Sequence, residues 1–253
     1  MIIEQYLIKH NLKYETQKIC FLDQITRKTN KIVLDFLVIY NNRFYVIEYN
    51  GEQHYKYIPY FHKSLEEYNL QKRRDYILRR RCNIKGYPLI EIPYYFTEQE
   101  IIIYLDNIFS GGTSTIYTDG AYSSKYSSGG WSFVEVVNSI LLVEQSGKRN
   151  DTTNNRMEIE AVLRALKHCL NQCISKCVIY TDSKYVEGCI NNHWTRKKNT
   201  DLWEIFDKLN KCIINRGYSI SVKWIKGHQK DDSEFTKWNN HVDKLANKAS
   251  NLL

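Results

Sequence analysis

The alternation of hydrophobic and polar positions predicts two successive α/β regions in this chain. In the first region, a helical spacing over MIIEQYLIKH precedes three segments rich in branched and aromatic residues, KICFL, KIVLDFLVIY and RFYVIEY, which are typical of β-strands. A basic helical segment, NLQKRRDYILRRRC, is followed by a strand over PLIEIPYY and a helix over TEQEIIIYLDNIF. The predicted order of the first region is therefore α-β-β-β-α-β-α.

The second region begins after FSGGTS, residues 109–114, where small flexible residues separate a helical pattern from a strand pattern. Three strands are predicted over STIYTD, GGWSFVEVV and ILLVEQSGK. A helix, the strand CVIYTD, two more helices, the strand SISVKWIKG and a last helix follow. This order predicts a mixed five-stranded sheet flanked by helices. We place the first domain at residues 1–109, the linker at 110–114 and the second domain at 115–253.

The composition indicates a protein that works inside the cell on a polyanion. The 253 residues are 43% hydrophobic, and 36 basic against 28 acidic side chains give a formal net charge of +8, which fits a nucleic-acid partner. There is no apolar run of about 18 residues and no basic-then-apolar leader, so we expect neither a membrane span nor secretion. We expect a monomer in the cytoplasm, nucleus or nucleoid.

The seven cysteines are an odd number, which favours reduced thiols over a disulfide framework. On one continuous helix, Cys169, Cys173 and Cys177 would line up beside His168. Two interpretations stay open for these thiols, a metal site and free core side chains. We favour free thiols because zinc sites usually use tighter pairs of cysteines held on turns.

Acidic residues in apolar surroundings are the main chemical signal of the second region. Asp119 and Asp182 each end a predicted strand in the same phrase, IYTDG and IYTDS. Ligands of open α/β sheets bind at the carboxyl ends of the strands, although a single Asp there can equally be a turn or helix cap. The two together favour a binding site at this edge of the sheet.

Helical geometry separates the two glutamates of TTNNRMEIEAV. Glu158 shares a helical stripe with Ala161 and Val162, which predicts that it points toward the core, whereas Glu160 falls on the stripe of Arg164 and is expected to face water. In the last helix, Asp243 also leans inward, although an acid in a first helical turn is favourable without any ligand. Carboxylates that converge without basic partners repel one another unless divalent cations bridge them, and hard oxygen ligands favour Mg²⁺ or Mn²⁺.

Five motifs in order, YTDGA, TNNRMEIEA, YTDSKYV, WIKGH and NNHVDKLANKA, resemble the type 1 ribonuclease H family over residues 113–250. The resemblance implies an endoribonuclease that hydrolyses the RNA strand of RNA/DNA hybrids with two Mg²⁺ ions, for which Mn²⁺ can substitute. It makes the four acids the metal-binding catalytic residues and gives His228 a part in proton transfer or product departure. The implied catalytic residues are Asp119, Glu158, Asp182, His228 and Asp243.

The same resemblance implies which residues contact the substrate. Gly120, Asn154 and Asn155 would read the 2′-hydroxyls that distinguish RNA from DNA, and Thr153 with Asn239 would form a pocket for a DNA phosphate. Two other residues of this region depart from the family pattern. Lys184 replaces a common glutamine and Lys125 a common asparagine, so we expect attraction to phosphate where the family forms hydrogen bonds.

The first region resembles the PD-(D/E)XK nucleases, particularly the very-short-patch-repair-like and homing-endonuclease-like members. The resemblance implies a restriction-endonuclease-like αβββαβ core with a second Mg²⁺ site, built from Glu4, Asp35, Glu48, Gln53 and His54. Asn50 and Leu78 depart from the family pattern, Leu78 at a position where relatives have a lysine.

Two interpretations of the first region therefore stay open, a nuclease that cuts duplex DNA and an inactive fold that binds DNA. The second interpretation uses the basic residues of one helix, Lys72, Arg73, Arg74, Arg79, Arg80 and Arg81. For the whole chain, the alternative to an enzyme is a hybrid-binding or DNA-binding adaptor whose first domain is inactive.

Overall fold

The computed structural model describes residues 1–20, 32–191 and 193–251. The chain divides into two compact units, Met1–Leu105 and Asp106–Leu253. The predicted linker at residues 110–114 stays a prediction. Phe21, Leu22 and Lys31 of the predicted strands lie outside the described residues. None of the described helices is both long and apolar enough to cross a membrane.

The first unit has the predicted order of helices and strands. Its sheet has the strand order β1-β2-β3-β4, with antiparallel pairs up to β3 and a parallel pair of β3 with β4. The pairing confirms an α/β unit, whereas its assignment to the PD-(D/E)XK fold stays a prediction. The elements are α1 (Ile2–Lys9), β1 (Lys13–Cys20), β2 (Ile32–Tyr40), β3 (Arg43–Asn50), a 3₁₀ helix (Glu52–His54), α2 (Leu65–Lys85), β4 (Leu89–Pro93) and α3 (Glu98–Phe109).

Helix α2 contacts the core of the first unit through few residues. Ser64 caps its start by accepting a hydrogen bond from the backbone N–H of Glu67 at 3.3 Å, and Gly86 ends it in a left-handed conformation at φ +68°. Of its side chains, Leu78 and Cys82 are buried against the sheet. The basic residues of α2 are consequently on its other faces.

The second unit contains the predicted mixed five-stranded sheet. Its strand order is β7-β6-β5-β8-β9, in which β7, β6 and β5 are antiparallel and β5, β8 and β9 are parallel. The elements are β5 (Ser114–Ser123), β6 (Ser128–Val137), β7 (Ile140–Asn150), α4 (Asn154–Gln172), β8 (Lys176–Thr181), α5 (Lys184–Ile190), α6 (Thr200–Asn215), β9 (Ser219–Trp224) and α7 (Glu234–Ser250).

Helix α4 is the central helix of the second unit, and one prediction about it is wrong. Glu158 is buried as expected, but Glu160 is also buried, with only 6% of its surface exposed. Arg164 donates a hydrogen bond from Nε to Glu160 at 2.8 Å, as its i+4 spacing predicted, and Arg149 of β7 lies 3.6 Å from the same carboxylate. Two arginines therefore compensate Glu160 where the helical stripe had placed it in water.

The cysteines of α4 and β8 do not share one helix. The helix ends at Gln172, Cys173 adopts a left-handed conformation at φ +56°, and Cys177 lies in β8. Cys169 and Cys177 are buried free thiols. The interpretation as free core side chains is therefore the correct one for these two residues, and Cys173 is partly buried and forms no disulfide bond.

Small residues on one face of β6 bring α7 close to the sheet. The hydroxyl of Ser128 donates to the carbonyl of Ser250 at 2.7 Å, and the hydroxyl of Ser132 donates to the carbonyl of Val242 at 2.7 Å. Between them, a Cβ atom at Gly130 would clash with the backbone carbonyl of Ala246. This close packing fixes the position of α7 and so of the acid it carries.

Candidate active site

The register of two parallel strands places Asp119 beside Asp182. Thr118 of β5 pairs with Thr181, the last residue of β8, so the next residue of each strand is an aspartate. The prediction that Asp119 ends its strand is wrong, because β5 continues to Ser123 along its other neighbour, β6. The two carboxylates still meet at the edge where β8 ends.

Helix α4 brings Glu158 to the same edge. Thr153 caps the helix by accepting a hydrogen bond from the backbone N–H of Arg156 at 3.4 Å. A Cβ atom at Gly120 would clash with the backbone N of Glu158 and lie 2.7 Å from its Cα. Only glycine therefore allows α4 to lie this close to β5.

Three carboxylates form one compact group in the second unit. Asp119, Glu158 and Asp182 each offer an oxygen within 4.8 Å of the other two. Asp243 of α7 lies outside that group but is hydrogen-bonded to Asp119, and Asn247 holds it through a 2.9 Å hydrogen bond to its Oδ1. The four acids line one open cleft of about 210 Å³, together with Gly120, Ala121, Tyr122, Asn154, His228 and Asn247.

The electrostatics of this group favour the neutral acids. Burial, with the neighbouring charges of Asp182 and Asp243, raises the pKa of Asp119 to about 8. Burial and the charges of Asp119 and Asp182 also raise the pKa of Glu158 well above its usual range. One oxygen of Glu158, Oε2, is buried without a hydrogen-bond partner.

Hydrogen bonds and one histidine moderate the charge of Asp182. Its pKa is raised by burial, while the hydrogen bond from Asn239 at 3.3 Å and the charge of His228 act in the opposite direction. His228 is exposed and has a left-handed backbone at φ +53°. The side chains that could bind a metal in this group are all carboxylates, whose oxygens fit a divalent cation such as Mg²⁺ or Mn²⁺.

Of the other residues predicted to bind substrate, Gly120 and Asn154 line this cleft, whereas Lys184 lines a separate pocket together with Trp224. Asn154 and Asn155 are exposed in the first turn of α4, and Asn154 donates a 3.4 Å hydrogen bond to Glu158. Thr153 is exposed and caps α4, whereas Asn239 is buried against Asp182, so the structure does not show a direct contact between them. Lys184 lies with Nζ 4.9 Å from the ring centre of Trp224.

Sequence reasoning missed three residues that position the acids. A Cβ atom at Gly227 would clash with Asp182 Oδ2, and the indole N–H of Trp224 donates to the carbonyl of Asp182 at 3.0 Å. The third residue is Asn247, which stands one helical turn after Asp243. That spacing was a usable signal, whereas the contacts of Gly227 and Trp224 depend on tertiary structure.

In the first unit, Asp35 and Glu48 face each other across β2 and β3. The backbone N–H of Asp35 donates to Glu48 Oε1 at 3.2 Å, and the backbone N–H of Tyr49 donates to Asp35 Oδ2 at 2.9 Å. Burial and the charge of Asp35 raise the pKa of Glu48 to about 8, with smaller contributions from Glu91 and Asp75. These last two acids were not among the predicted site residues.

Polar side chains partner Asp75 and Glu91. Asp75 contacts His54 at 3.0 Å and accepts a hydrogen bond from Gln71 at 2.9 Å. Glu91 accepts hydrogen bonds from Arg79 at 2.9 and 2.7 Å and one from Asn50 at 3.1 Å.

Two predicted site residues of the first unit have local partners instead. Glu4 accepts a hydrogen bond from the hydroxyl of Tyr14 at 3.1 Å. The amide of Gln53 lies over Gly51 in the 3₁₀ helix segment. Neither contact brings these side chains to Asp35 and Glu48, and their role as metal ligands stays a prediction.

Comparisons with known proteins agree with the geometry of the second unit. The sequence profile of the RNase H family matches residues 112–251. Ribonuclease H of Rickettsia bellii is 38% identical over 145 residues, which cover 52% of this chain and 84% of the relative. Ribonuclease H of Chlorobium phaeobacteroides is 36% identical over 144 residues, covering 53% and 93% respectively.

Two solved structures match about half of this chain. The RNase H domain of Rv2228c from Mycobacterium tuberculosis is 20% identical with a TM-score of 0.45, and the match covers 55% of this chain and 94% of that one. LC11-RNase H1, solved in complex with an RNA/DNA hybrid, is 25% identical with a TM-score of 0.44, covering 54% and 95% respectively.

Proposed function

We propose that this chain, which belongs to the ribonuclease H family, is an endonuclease that hydrolyses the RNA strand of RNA/DNA hybrids. The family assignment makes the chain a hydrolase of the ribonuclease H type. The observation that carries the proposal is the group of Asp119, Glu158 and Asp182, whose oxygens lie within 4.8 Å of one another. Such a group is unfavourable alone and suits cation-dependent phosphodiester hydrolysis.

Each acid has a defined place in the proposed reaction. Asp119 and Asp182 lie side by side, each directly after the last paired residue of the parallel strands β5 and β8. With Glu158, whose Oε2 lacks a hydrogen-bond partner, they would bind the cations. Asp243, fixed by Asn247, would complete the set. When bound by these oxygens, two Mg²⁺ ions would polarise the scissile phosphate and lower the pKa of the attacking water.

The exposed residues around the cleft would select and release the substrate. Asn154 and Asn155 stand at the start of α4 with exposed side chains, and Asn154 lines the same cleft as Gly120, which suits contact with the 2′-hydroxyls of an RNA strand. Exposed Thr153 and Lys184 would contact phosphates, and Asn239 would act through its hydrogen bond to Asp182. His228, exposed beside Asp182, is placed to carry a proton to or from the departing product.

Cleavage of a labelled RNA/DNA hybrid by Asp182→Asn tests the proposal. We expect kcat to fall by more than about 100-fold, because losing a direct ligand costs more than the 10- to 100-fold loss typical of its supporting residues. Asp207→Asn is the matched control, since Asp207 is a 64% exposed aspartate that pairs with Arg196 outside the cleft. Cleavage by Asp182→Asn at the parent's rate would refute the carboxylate mechanism and leave the adaptor as the better alternative.

For the first unit, we propose DNA binding rather than DNA cleavage. Its acids are already partnered by Arg79, Asn50, His54, Gln71 and backbone N–H groups. Leu78 stands where the PD-(D/E)XK nucleases have a lysine, and its side chain is buried in the core. Helix α2 therefore has no positive charge at that position to act on the acids. The exposed basic residues of α2 would contact phosphates.

A plasmid assay distinguishes the two roles of the first unit. We expect no nicking of supercoiled DNA by the parent protein in Mg²⁺ or Mn²⁺, and the same result for Glu48→Ala. Nicking by the parent that disappears in Glu48→Ala but persists in Asp182→Asn would show instead that the first unit is an active nuclease.

A further inference from the structure

A cluster of aromatic side chains lies on the surface of the first unit. Tyr60 is 89% exposed, Tyr95 63%, Phe61 54%, and three further tyrosines of the cluster more than a third. Contiguous exposed apolar surface of this kind usually marks an interaction site. We define the aromatic cluster as Tyr55, Tyr57, Tyr60, Phe61, Tyr94 and Tyr95.

Contacts among the rings hold the aromatic cluster in place. Tyr55, Tyr94 and Tyr95 pack together with ring centres 5.5 to 6.2 Å apart, and the rings of Tyr60 and Phe61 are 5.0 Å apart. Tyr68 of α2 packs its ring at 6.3 Å against Tyr57 and donates its hydroxyl to the carbonyl of Tyr55 at 3.1 Å. His62, next to Phe61 in the chain, has ring contacts with both Tyr57 and Tyr68, at 5.8 and 5.1 Å. The pair Tyr60–Phe61 is therefore joined to the other rings through its chain neighbour His62.

Basic side chains adjoin the aromatic cluster. Lys72 places Nζ 5.1 Å from the ring centre of Tyr68, and Lys63 is exposed in the segment between Phe61 and α2. In the described part of the chain, no carboxylate pairs with Lys72, Arg73 or Arg74. Protein interfaces are depleted of lysine around their cores, whereas aromatic rings interleaved with cations suit a nucleic acid.

Single-stranded DNA is the nucleic acid that best fits these rings. Bases in a duplex are stacked on one another, so they offer only their edges to protein side chains, while unpaired bases offer their faces for stacking on aromatic rings. Removal of the RNA strand of a hybrid leaves the DNA strand unpaired. We propose that the aromatic cluster binds single-stranded DNA, an inference that rests on the proposed hybrid-cleaving function for its choice of DNA.

Fluorescence anisotropy with the full chain tests this inference. The probes are a labelled oligothymidylate of about 20 nucleotides, the RNA oligonucleotide of the same length and a duplex of that length. For Tyr60→Ser/Phe61→Ser/Tyr95→Ser we expect the affinity for oligothymidylate to fall by about 30-fold or more, given the loss typical for each base–ring stack. The slope of log Kd against log salt should not change, because no phosphate contact is removed.

Two control variants separate stacking from general effects. Tyr60→Trp/Phe61→Tyr/Tyr95→Phe keeps three aromatic rings and should bind oligothymidylate like the parent. Tyr76→Ser removes a ring that is 62% exposed on α2 but belongs to no ring pair of the cluster, and it should also bind normally. Thermal unfolding of all three variants checks that each stays folded at the temperature of the binding assay.

The outcomes that overturn the inference are distinct from failure of the proposed function. Parent-like oligothymidylate binding by the triple serine variant would overturn it, as would an equal loss in Tyr76→Ser or an equal loss of duplex and RNA binding in the triple serine variant. A change from dimer to monomer in the triple serine variant would assign the surface to a second copy of the chain. Hybrid cleavage by the same samples is measured separately: its absence in the parent would refute the proposed function without altering the binding result.

Discussion

Both units contain a group of carboxylates carried by neighbouring strands, and the two groups are compensated differently. In the first unit, Arg79 forms two hydrogen bonds with Glu91, and backbone N–H groups satisfy Asp35 and Glu48. In the second unit, the oxygens of Asp119, Glu158 and Asp182 converge, and Oε2 of Glu158 has no hydrogen-bond partner. His228 is the basic residue whose charge acts on Asp182.

The difference shows why a cluster of acids alone does not define a metal site. Carboxylates that the protein itself neutralises have little to gain from a cation, whereas buried carboxylates without such partners gain much. By this criterion we expect a divalent cation to stabilise the second unit more than the first. The raised pKa of Glu48, to about 8, shows that its compensation is still incomplete.

The largest effect on stability is expected at Glu48, whose charge is incompletely compensated. The pKa of Glu48 is about 8 when folded against 4.5 as its ordinary value, so the folded protein keeps a proton that the unfolded chain loses between those pH values. Stability should therefore fall as pH rises through this window. We expect Glu48→Gln to match the parent near pH 4.5 and to exceed it by roughly 3 kcal/mol at pH 9, on the order given by 1.36 kcal/mol per unit of pKa.

Urea denaturation without divalent cations, followed at both pH values, measures this effect. Glu66→Gln is the control, because Glu66 is an exposed glutamate in the first turn of α2. A stability difference between Glu48→Gln and the parent that does not change with pH would contradict the assigned role of burial and of the charge on Asp35.

A smaller effect is expected when the first unit is made to resemble the second. Arg79→Met removes both hydrogen bonds to Glu91. The Glu91 carboxylate, whose charge acts on Glu48, then has no guanidinium beside it. Because Arg79 is about half exposed, we expect a loss of about 1–2 kcal/mol rather than the cost of a fully buried pair. Urea denaturation at pH 7 measures it.

A double-mutant cycle shows whether the loss comes from the pair. Glu91→Gln in the Arg79→Met background should recover most of the lost stability, since the uncompensated charge is then gone. Arg80→Met, at the next and exposed position of α2, should have almost no effect. Additive losses in the double variant would mean that Arg79 stabilises the unit by packing alone.

The smallest effect expected is stabilisation by the cation itself. Mg²⁺ at about ten times its Kd should stabilise the parent by about 1.4 kcal/mol, because it binds only the folded second unit. Differential scanning calorimetry should show this gain in Glu48→Gln and not in Glu158→Gln. The opposite pattern, a gain that depends on Glu48 and not on Glu158, would reverse the comparison between the units.

The sequence predicts most of the fold and the acids of the second unit, and its failures have physical causes. Helical spacing places Glu158 toward the core correctly, but it cannot show Arg149, which reaches Glu160 from β7 and takes part in burying it. Similarly, Asp119 has the pattern of a strand end because its local sequence does not reveal that β6 continues beside it.

The site residues of the first unit were harder to predict because their partners are distant along the chain. Asp35 and Glu48 follow from acids in apolar strands, while the contribution of Glu91 depends on the parallel pairing that sets it opposite Glu48. Arg79, on the neighbouring helix α2, donates hydrogen bonds to Glu91. Neither relation has a local signal in sequence.

The absence of a side chain at Gly120 has a consequence for motion during turnover. The backbones of β5 and α4 are in direct contact there, so Asp119 and Glu158 should move as one rigid body. Asp182 instead lies against Gly227, next to the exposed, left-handed His228. Because Asp182 follows directly on β8, which pairs with β5, any opening that admits substrate or releases product should occur in the segment of Gly227 and His228.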